Sequence, residues 1–203
     1  MARRLGVDLT QSVSLADERV LLRPWTYRDL DALVEVGLDP QIWRNTVSRL
    51  ENQADARRYI EWLLDEQTAG RLLSFAVVDR GRGELAGNSS LGNASAGDRR
   101  IEIGWTWLSG RAQGRGINTR VKSLLLEHCF ESLGAQRVEF KTDAMNDRAR
   151  GALEKIGAIP EGTLRSHTLM HDGRYRDTVY YSILESEWSE TRERLRSLIE
   201  AGR

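Results

Sequence analysis

One glycine-rich stretch, set between a strand pattern and a helix pattern, constrains this chain most. It reads Ser109-Gly110-Arg111-Ala112-Gln113-Gly114-Arg115-Gly116-Ile117-Asn118-Thr119. The apolar run 101–108 precedes it. Residues 119–130 follow it, with Val121, Leu124, Leu125, His128 and Cys129 at three- and four-residue spacing. A loop so placed turns backbone N–H groups and a helix N-terminus toward one point, which suits an anion, usually a phosphate.

Two nucleotide motifs can be laid on this loop. The triphosphate motif G-x-x-x-x-G-K-[ST] fails in both its lysine and its spacing. The dinucleotide fingerprint G-x-G-x-x-G is met at Gly114 and Gly116, has Thr119 in place of its third glycine, and finds a carboxylate further on at Glu139. That fold places its loop near the start of a parallel βαβ series. On the loop alone, a plain tight turn stays open beside these readings.

The order of elements narrows the choice. Residues 1–17 are polar and read as a loose arm with room for a short strand; 19–24 reads as a strand stopped by Pro24. Thr26 is placed to cap a helix to about Val36, with Leu30, Leu33 and Val34 on one face, and Asp39-Pro40 breaks it. Ala56, Tyr59, Ile60, Leu63 and Leu64 mark an amphipathic helix over 54–67, closed by Gly70. Strands at 72–79, 84–91 and 99–108, with short turns between them, form an antiparallel meander ahead of the loop. Beyond it come a strand at 136–142 and a helix at 146–156. Strand, loop, helix and strand make a right-handed crossover joining two parallel strands. Two last strands, 159–164 and 177–184, meet through His171-Asp172-Gly173-Arg174, and 186–203 carries a terminal helix with Trp188, Leu195, Leu198 and Ile199. The expected fold is one α/β domain over 1–203, with a mixed, mostly antiparallel sheet flanked by helices.

Composition removes several function classes. Thirty basic residues balance thirty acidic ones, so no net field draws the chain to nucleic acid or to a membrane. Cys129 is the only cysteine, so no intramolecular disulfide can form; His128, His167 and His171 lack ligand spacing, and no metal is expected. The first residues lead into polar sequence rather than a signal core, and no apolar run reaches membrane length. The expected location is cytoplasmic.

Further residues fall into a family pattern. Arg111-Ala112-Gln113-Gly114-Arg115-Gly116 has the form [Q/R]-x-x-G-x-[G/A] between a strand and a helix, which resembles the pyrophosphate loop of the GNAT superfamily of acyl-CoA N-acyltransferases. Val20-Leu21-Leu22-Arg23-Pro24 looks like the opening strand of its Rim-type branch, the ribosomal-protein N-terminal acetyltransferases. Ile101-Glu102-Ile103-Gly104-Trp105 looks like the fourth strand of that branch. Asn146, with Glu154, Lys155 and Gly157 after it, resembles the segment N-x-x-[SA]-x-x-x-[LY]-E-K-x-G-F, and Ala158 replaces its aromatic. Asp172-Gly173 and Asp177-Thr178-Val179-Tyr180-Tyr181 resemble the last hairpin. The resemblance spans residues 19 to about 188.

By this resemblance the co-substrate is acetyl-CoA and no metal takes part. The amides of Gln113, Gly114, Arg115, Gly116, Ile117 and Asn118 would hold its pyrophosphate, with the helix from Thr119 adding its positive end. Glycine at 114 and 116 removes the Cβ atoms that would keep a phosphate off the backbone. Arg111 and Arg115 can pair with phosphates or stay as solvated surface arginines. The strand before the loop would splay from its parallel neighbour, letting the pantetheine arm pair with backbone near Trp107 and Leu108. Asn146 would hydrogen-bond that arm, cap its own helix, or do both. The reaction implied is direct attack of a neutral amine on the thioester. Alternation places Glu102, Gly104 and Thr106 opposite Ile103, Trp105 and Trp107. Glu102 is therefore the candidate general base, a salt-bridged strand glutamate being the other reading of it. The acid is missing from its expected place, which is Ala149, and Arg120 replaces a glutamate common after the loop; Tyr175, Tyr180, Tyr181 or water could serve instead. The acceptor implied is a small-molecule or protein amine, with a protein or peptide N-terminus favoured, and the enzyme a monomer or homodimer. The alternative left by Ala149 is a catalytically weak acyl-CoA-binding or regulatory module.

Overall fold

The fold is seen in a computed structural model, which describes residues 5–202. Residues 1–4 of the expected arm and residue 203 of the expected terminal helix lie outside these. Eight strands form one sheet in the order β1-β2-β3-β4-β5-β6-β8-β7. They are β1 (Leu15–Ala16), β2 (Val20–Pro24), β3 (Leu72–Asp79), β4 (Glu84–Ser95), β5 (Arg100–Leu108), β6 (Arg137–Asp143), β7 (Ile159–Leu169) and β8 (Tyr175–Leu184). Every neighbouring pair is antiparallel except β5 with β6. The mixed sheet with one parallel pair is the expected one.

Period-two alternation sends successive residues to two cores. On β3, Phe75 and Val77 enter one and Ala76 the other. The first core lies under α4 (Ile117–Glu127) and α6 (Trp188–Ala201), with Ile101, Ile103, Val121, Leu125, Tyr181 and Leu195 fully or nearly buried. The second lies under α1 (Leu30–Gly37), α2 (Pro40–Trp43) and α3 (Gln53–Thr68) and holds Trp25, Leu33, Trp43, Tyr59, Ile60 and Trp107. Each fully buried large apolar side chain contributes about 1.5–3 kcal/mol. α5 (Asp147–Lys155) follows β6, and Leu153 and Ile156 reach the first core.

Four local expectations need correction. The arm is not loose over its described part: Leu5 and Leu9 are buried, Gly6 N–H donates to the Leu133 carbonyl at 2.9 Å, and β1 pairs with β2. The helix after Thr26 is split into a 3-10 turn at Tyr27–Asp29 and α1, because Asp29 accepts from the Thr26 N–H at 2.9 Å and binds Arg23. Asp39-Pro40 does not only stop a helix; it starts α2, with Asp39 accepting from the Gln41 N–H at 3.0 Å and proline in the first turn. The helix after the loop begins at Ile117, two residues before Thr119, since Gly116 supplies the left-handed residue in front of it. It runs on through a π-turn at His128–Ser132.

Arg120 has a structural role that its sequence position did not reveal. It is buried on α4, with Nη1 2.7 Å from Asp17 Oδ2 and Nη2 3.0 Å from Glu18 Oε1, and so clamps the β1–β2 turn to the helix. Burial pushes the Asp17 pKa up, but N–H bonds from Val20 and Arg19 and the Arg120 guanidinium together outweigh it and hold the carboxyl below its ordinary 3.8. A depressed carboxylate stabilises the fold above its unfolded pKa, and that stabilisation is lost as pH falls through the folded value. Arg120→Met is therefore expected to cost about 1–2 kcal/mol at neutral pH. In thermal melts its gap from wild type should be constant from about pH 7 to 5 and should narrow below about pH 4. A gap that widens in acid would disprove the linkage.

Candidate active site

The site begins where two strands part. β5 and β6 pair only at Arg100–Arg137, Ile101–Val138 and Glu102–Glu139. Beyond Glu102 they have no further paired residues, and a gap opens toward the C-terminal ends of both. On its other edge β5 carries an extra residue against β4, between the pairs Ser90–Gly104 and Asn88–Trp107, and Trp105 takes φ 51° there. This bulge reverses the alternation after Gly104. Thr106 thus faces α4, where Lys122 Nζ donates to its Oγ1 at 3.1 Å, while Trp107 enters the second core. The expected grouping is corrected accordingly: Glu102 shares a face with Trp107, and Thr106 lies on the face of Ile103.

Glu102 sits at the head of the gap and is 5 % exposed. Its Oε2 is 2.7 Å from Lys141 Nζ and 2.7 Å from Asn93 Nδ2. Asn93 reaches it from a second bulge, on β4, at φ 48°. Lys141 Nζ lies 5.1 Å from the centre of the Tyr180 ring. The salt-bridged reading of Glu102 describes its contacts, and those contacts lie at the opening between the strands. The Trp107 side chain is spent on packing: Nε1 donates to Tyr59 Oη at 3.0 Å, and its ring centroid is 5.2 Å from that of Trp43. Only its backbone is available to a ligand.

β5 ends in the glycine loop. Gly114 (φ 73°) and Gly116 (φ 76°) are left-handed, and a Cβ placed on either would meet open space. The amides of Ile117, Asn118 and Thr119 precede the first bond of α4, Arg120 N–H to the Gly116 carbonyl at 3.2 Å. Gln113 braces the loop, with Nε2 donating to the Leu108 carbonyl at 2.8 Å and Oε1 accepting from Arg148 at 2.6 Å. Arg111 pairs with Glu35 at 2.9 Å on the surface, and Arg115 is exposed. Ile117 is fully buried, so it offers backbone alone. Asn118 Oδ1 is buried without a hydrogen-bond partner in the protein, the one such side-chain atom among the described residues.

Asn146 caps α5, its Oδ1 accepting from the Ala149 N–H at 3.0 Å. It also lines a cleft of about 250 Å³ with Arg44, Asn45, Met145, Asp147 and Arg148. The last hairpin meets the first helices where His171 Nε2 lies 3.1 Å from the Trp43 carbonyl. Of the tyrosines named as acids, Tyr181 is fully buried in the first core and donates to Glu154 at 2.9 Å, while Tyr175 is exposed. Tyr180 is the one beside Glu102's partner Lys141. No group of three or more histidines, cysteines and carboxylates able to hold a metal occurs among the described residues, and no described helix is long and apolar enough to cross a membrane.

Comparison with known proteins shows the family. Residues 19–159 match the family described as acetyltransferase (GNAT) domain. The chain belongs to the GNAT acetyltransferase family.

Among its GNAT relatives is YdaF of Bacillus subtilis (strain 168), provisionally named a ribosomal N-acetyltransferase. It is 37% identical over 106 residues, a match spanning 52% of this chain and 57% of YdaF. The structure of Mycobacterium smegmatis RimJ in complex with CoA-disulfide is 26% identical, with a TM-score of 0.77, over 95% of this chain and 94% of RimJ. A GCN5-related N-acetyltransferase from Brucella melitensis shares the fold, with a TM-score of 0.89 at 24% identity over 100% and 94% of the two chains. The residues present fit the acetyl-CoA that GNAT acetyltransferases use as co-substrate. Two left-handed glycines leave room above the backbone, and the amides of Ile117, Asn118 and Thr119 precede the first bond of α4 and are donors an anion can take. Asn93, Lys141 and Lys122 were missed by the sequence reading. Each meets its partners through strand register across the bulges or the gap, and no local spacing records that.

Proposed function

We propose that this chain transfers the acetyl group of acetyl-CoA to a primary amine, and that the amine is the N-terminus of a protein or peptide. The parting of β5 from β6 directly ahead of a loop with two left-handed glycines is the observation that carries the reading. In it, the amides from Gln113 to Thr119 take the pyrophosphate, Arg111 and Arg115 add charge at its edge, and the positive end of α4 faces it. Backbone at Trp107 and Leu108, with Asn146, positions the arm in the gap. Acetyl-CoA supplies the thioester carbonyl that the amine attacks. Glu102 receives the amine's proton, through water, at the head of the gap. A backbone N–H at the β5 bulge faces the carbonyl oxygen. The name of YdaF favours an acceptor of the ribosomal-protein kind, and the cleft lined by Arg44, Asn45 and Asn146 is where it enters. A cytoplasmic enzyme, acting as a monomer or homodimer, follows from the same reading.

Thiol release from acetyl-CoA, measured against a panel of peptides and small amines, tests it. Turnover with peptide N-termini above that with small amines is the expected result. CoA binding with no turnover across the panel would establish a catalytically weak acyl-CoA-binding module, the alternative that Ala149 leaves. Gly116→Ala belongs in the same assay. A non-glycine residue at φ 76° costs about 1–2 kcal/mol. Its methyl also enters the space above the loop, so CoA should bind about 10-fold more weakly or worse while the fold persists.

A further inference from the structure

α4 turns one lysine toward the sheet. Lys122 is 5 % exposed, its Nζ donates to Thr106 Oγ1 at 3.1 Å, and the amine lies 5.5 Å from the centre of the Phe140 ring. Among the described residues no carboxylate lies within ion-pair distance of it. Thr106 is on β5 beyond its last residue paired to β6, and Phe140 is the first residue of β6 beyond the last pair. The amine therefore stands at the gap between the strands, on the helix side, while Glu102 stands at the gap's head on the other face. The Glu102 charge acts on Lys122 across that opening.

A buried ammonium with one hydroxyl partner is costly, and a methionine of similar length would pack there without that cost. Its environment makes the amine exchangeable near neutrality. Burial lowers its pKa to about 7, and the charge of Glu102 on β5 opposes that shift; Cys129, two turns further along, is the other titratable group beside it. Cys129 is itself pushed up by burial and stays a thiol.

We infer that Lys122 is the proton donor to the coenzyme A sulfur as it departs, filling the role for which no hydroxyl stands at Ala149. This rests on the gap being the site of the pantetheine arm. The acceptor nitrogen bonds to the acetyl carbonyl carbon, and the C–S bond breaks with its electron pair passing to sulfur. Lys122 gives that sulfur one proton, leaving coenzyme A as a thiol and the lysine neutral. The acceptor enters as an ammonium and loses two protons in forming the amide. One restores Lys122 and the other reaches solvent by way of Glu102, so one proton is released per turnover.

The test is Lys122→Met, with Lys122→Arg beside it, read by turnover and by the ultraviolet absorbance of the thiolate of bound coenzyme A. Lys122→Met should fold with a melting temperature equal to or above that of wild type. Its kcat should fall about 100-fold while the KM for acetyl-CoA stays within about 3-fold. The bound thiol should titrate about one pH unit higher than in wild type, because a cation beside it is gone. Lys122→Arg should keep the low thiol midpoint but not the turnover, since a guanidinium does not release its proton. Turnover near the wild-type level in either variant, or a thiol midpoint unmoved in Lys122→Met, would overturn the assignment. Failure of the wild-type protein to bind coenzyme A at all would instead remove the reading of the gap on which it rests.

Discussion

Gly87→Ala is expected to lower the melting temperature by roughly 10 °C and to take coenzyme A binding with it. A Cβ at this position would lie 2.0 Å from the Trp107 carbonyl oxygen and 2.9 Å from Leu108 Cα. Both are backbone atoms of β5, so neither can rotate aside, and the Leu108 side chain is also at 2.9 Å. Overpacking against movable side chains costs about 1–3 kcal/mol; against backbone the cost should be at least about 3 kcal/mol. For a chain of this size each kcal/mol is worth roughly 2–4 °C. The displaced strand end carries the glycine loop, whose first anchor is the Ser109 N–H to the Ala86 carbonyl at 2.8 Å. Calorimetry gives the first effect, and coenzyme A titration below the melting temperature gives the second. Gly83→Ala is the control: it is also left-handed, at φ 69°, but faces open space, so it should lose about 1–2 kcal/mol and leave binding intact. Equal losses in the two variants would show that close approach at Gly87 is unimportant.

Glu102→Gln is expected to reduce kcat about 1,000-fold and to leave the Kd for coenzyme A within about 3-fold of wild type. The amide fills the same volume in a nearly closed site but takes up no proton. Loss of charge opposite Lys141 should also cost about 1–2 kcal/mol, less than for a fully buried pair because the Lys141 side chain is 21% exposed. That cost must be separated from the chemistry. Lys141→Met breaks the same 2.7 Å pair from its other end and keeps the carboxylate. If Glu102 is the base, the stability losses will be alike and the large fall in kcat will belong to Glu102→Gln alone. Should both variants lose stability and neither lose turnover, Glu102 is a strut and another group removes the proton.

Much of this arrangement was legible in the residues. The glycine loop, the meander before it and the crossover after it depend on local signals: apolar periodicity of two or 3.6, and glycine where a left-handed residue is needed. Those signals placed β3, α3 and α5 within a residue or two. The reading failed where partners are distant in sequence. Strict alternation was the wrong rule for β5, because the bulge at Trp105 inserts a residue that only its pairing with β4 discloses. Polarity marked residues 1–17 as loose, yet Leu5 and Leu9 are buried, and Arg120 on α4 anchors Asp17 and Glu18 from a hundred residues away. Asp39-Pro40 was ambiguous in principle, since proline ends one helix and opens the next equally well. Glu102 was picked as a candidate from its strand position, but its partners Lys141 and Asn93 were not legible there. Lys122 carried no local signal of its burial, because helical spacing alone does not say how wide the apolar face is.

Three rungs between β5 and β6 are all that stitch β1–β5 to β6–β8 within the sheet. The seam is closed at one end and open at the other, like a pair of pages held by a short spine. Any molecule that lies in the opening with its own amide groups stands in for the missing rungs and becomes a stave of the sheet. Occupancy would then be felt as rigidity far from the loop: amide exchange in β6 and β8, remote from any phosphate, should slow when the seam is filled.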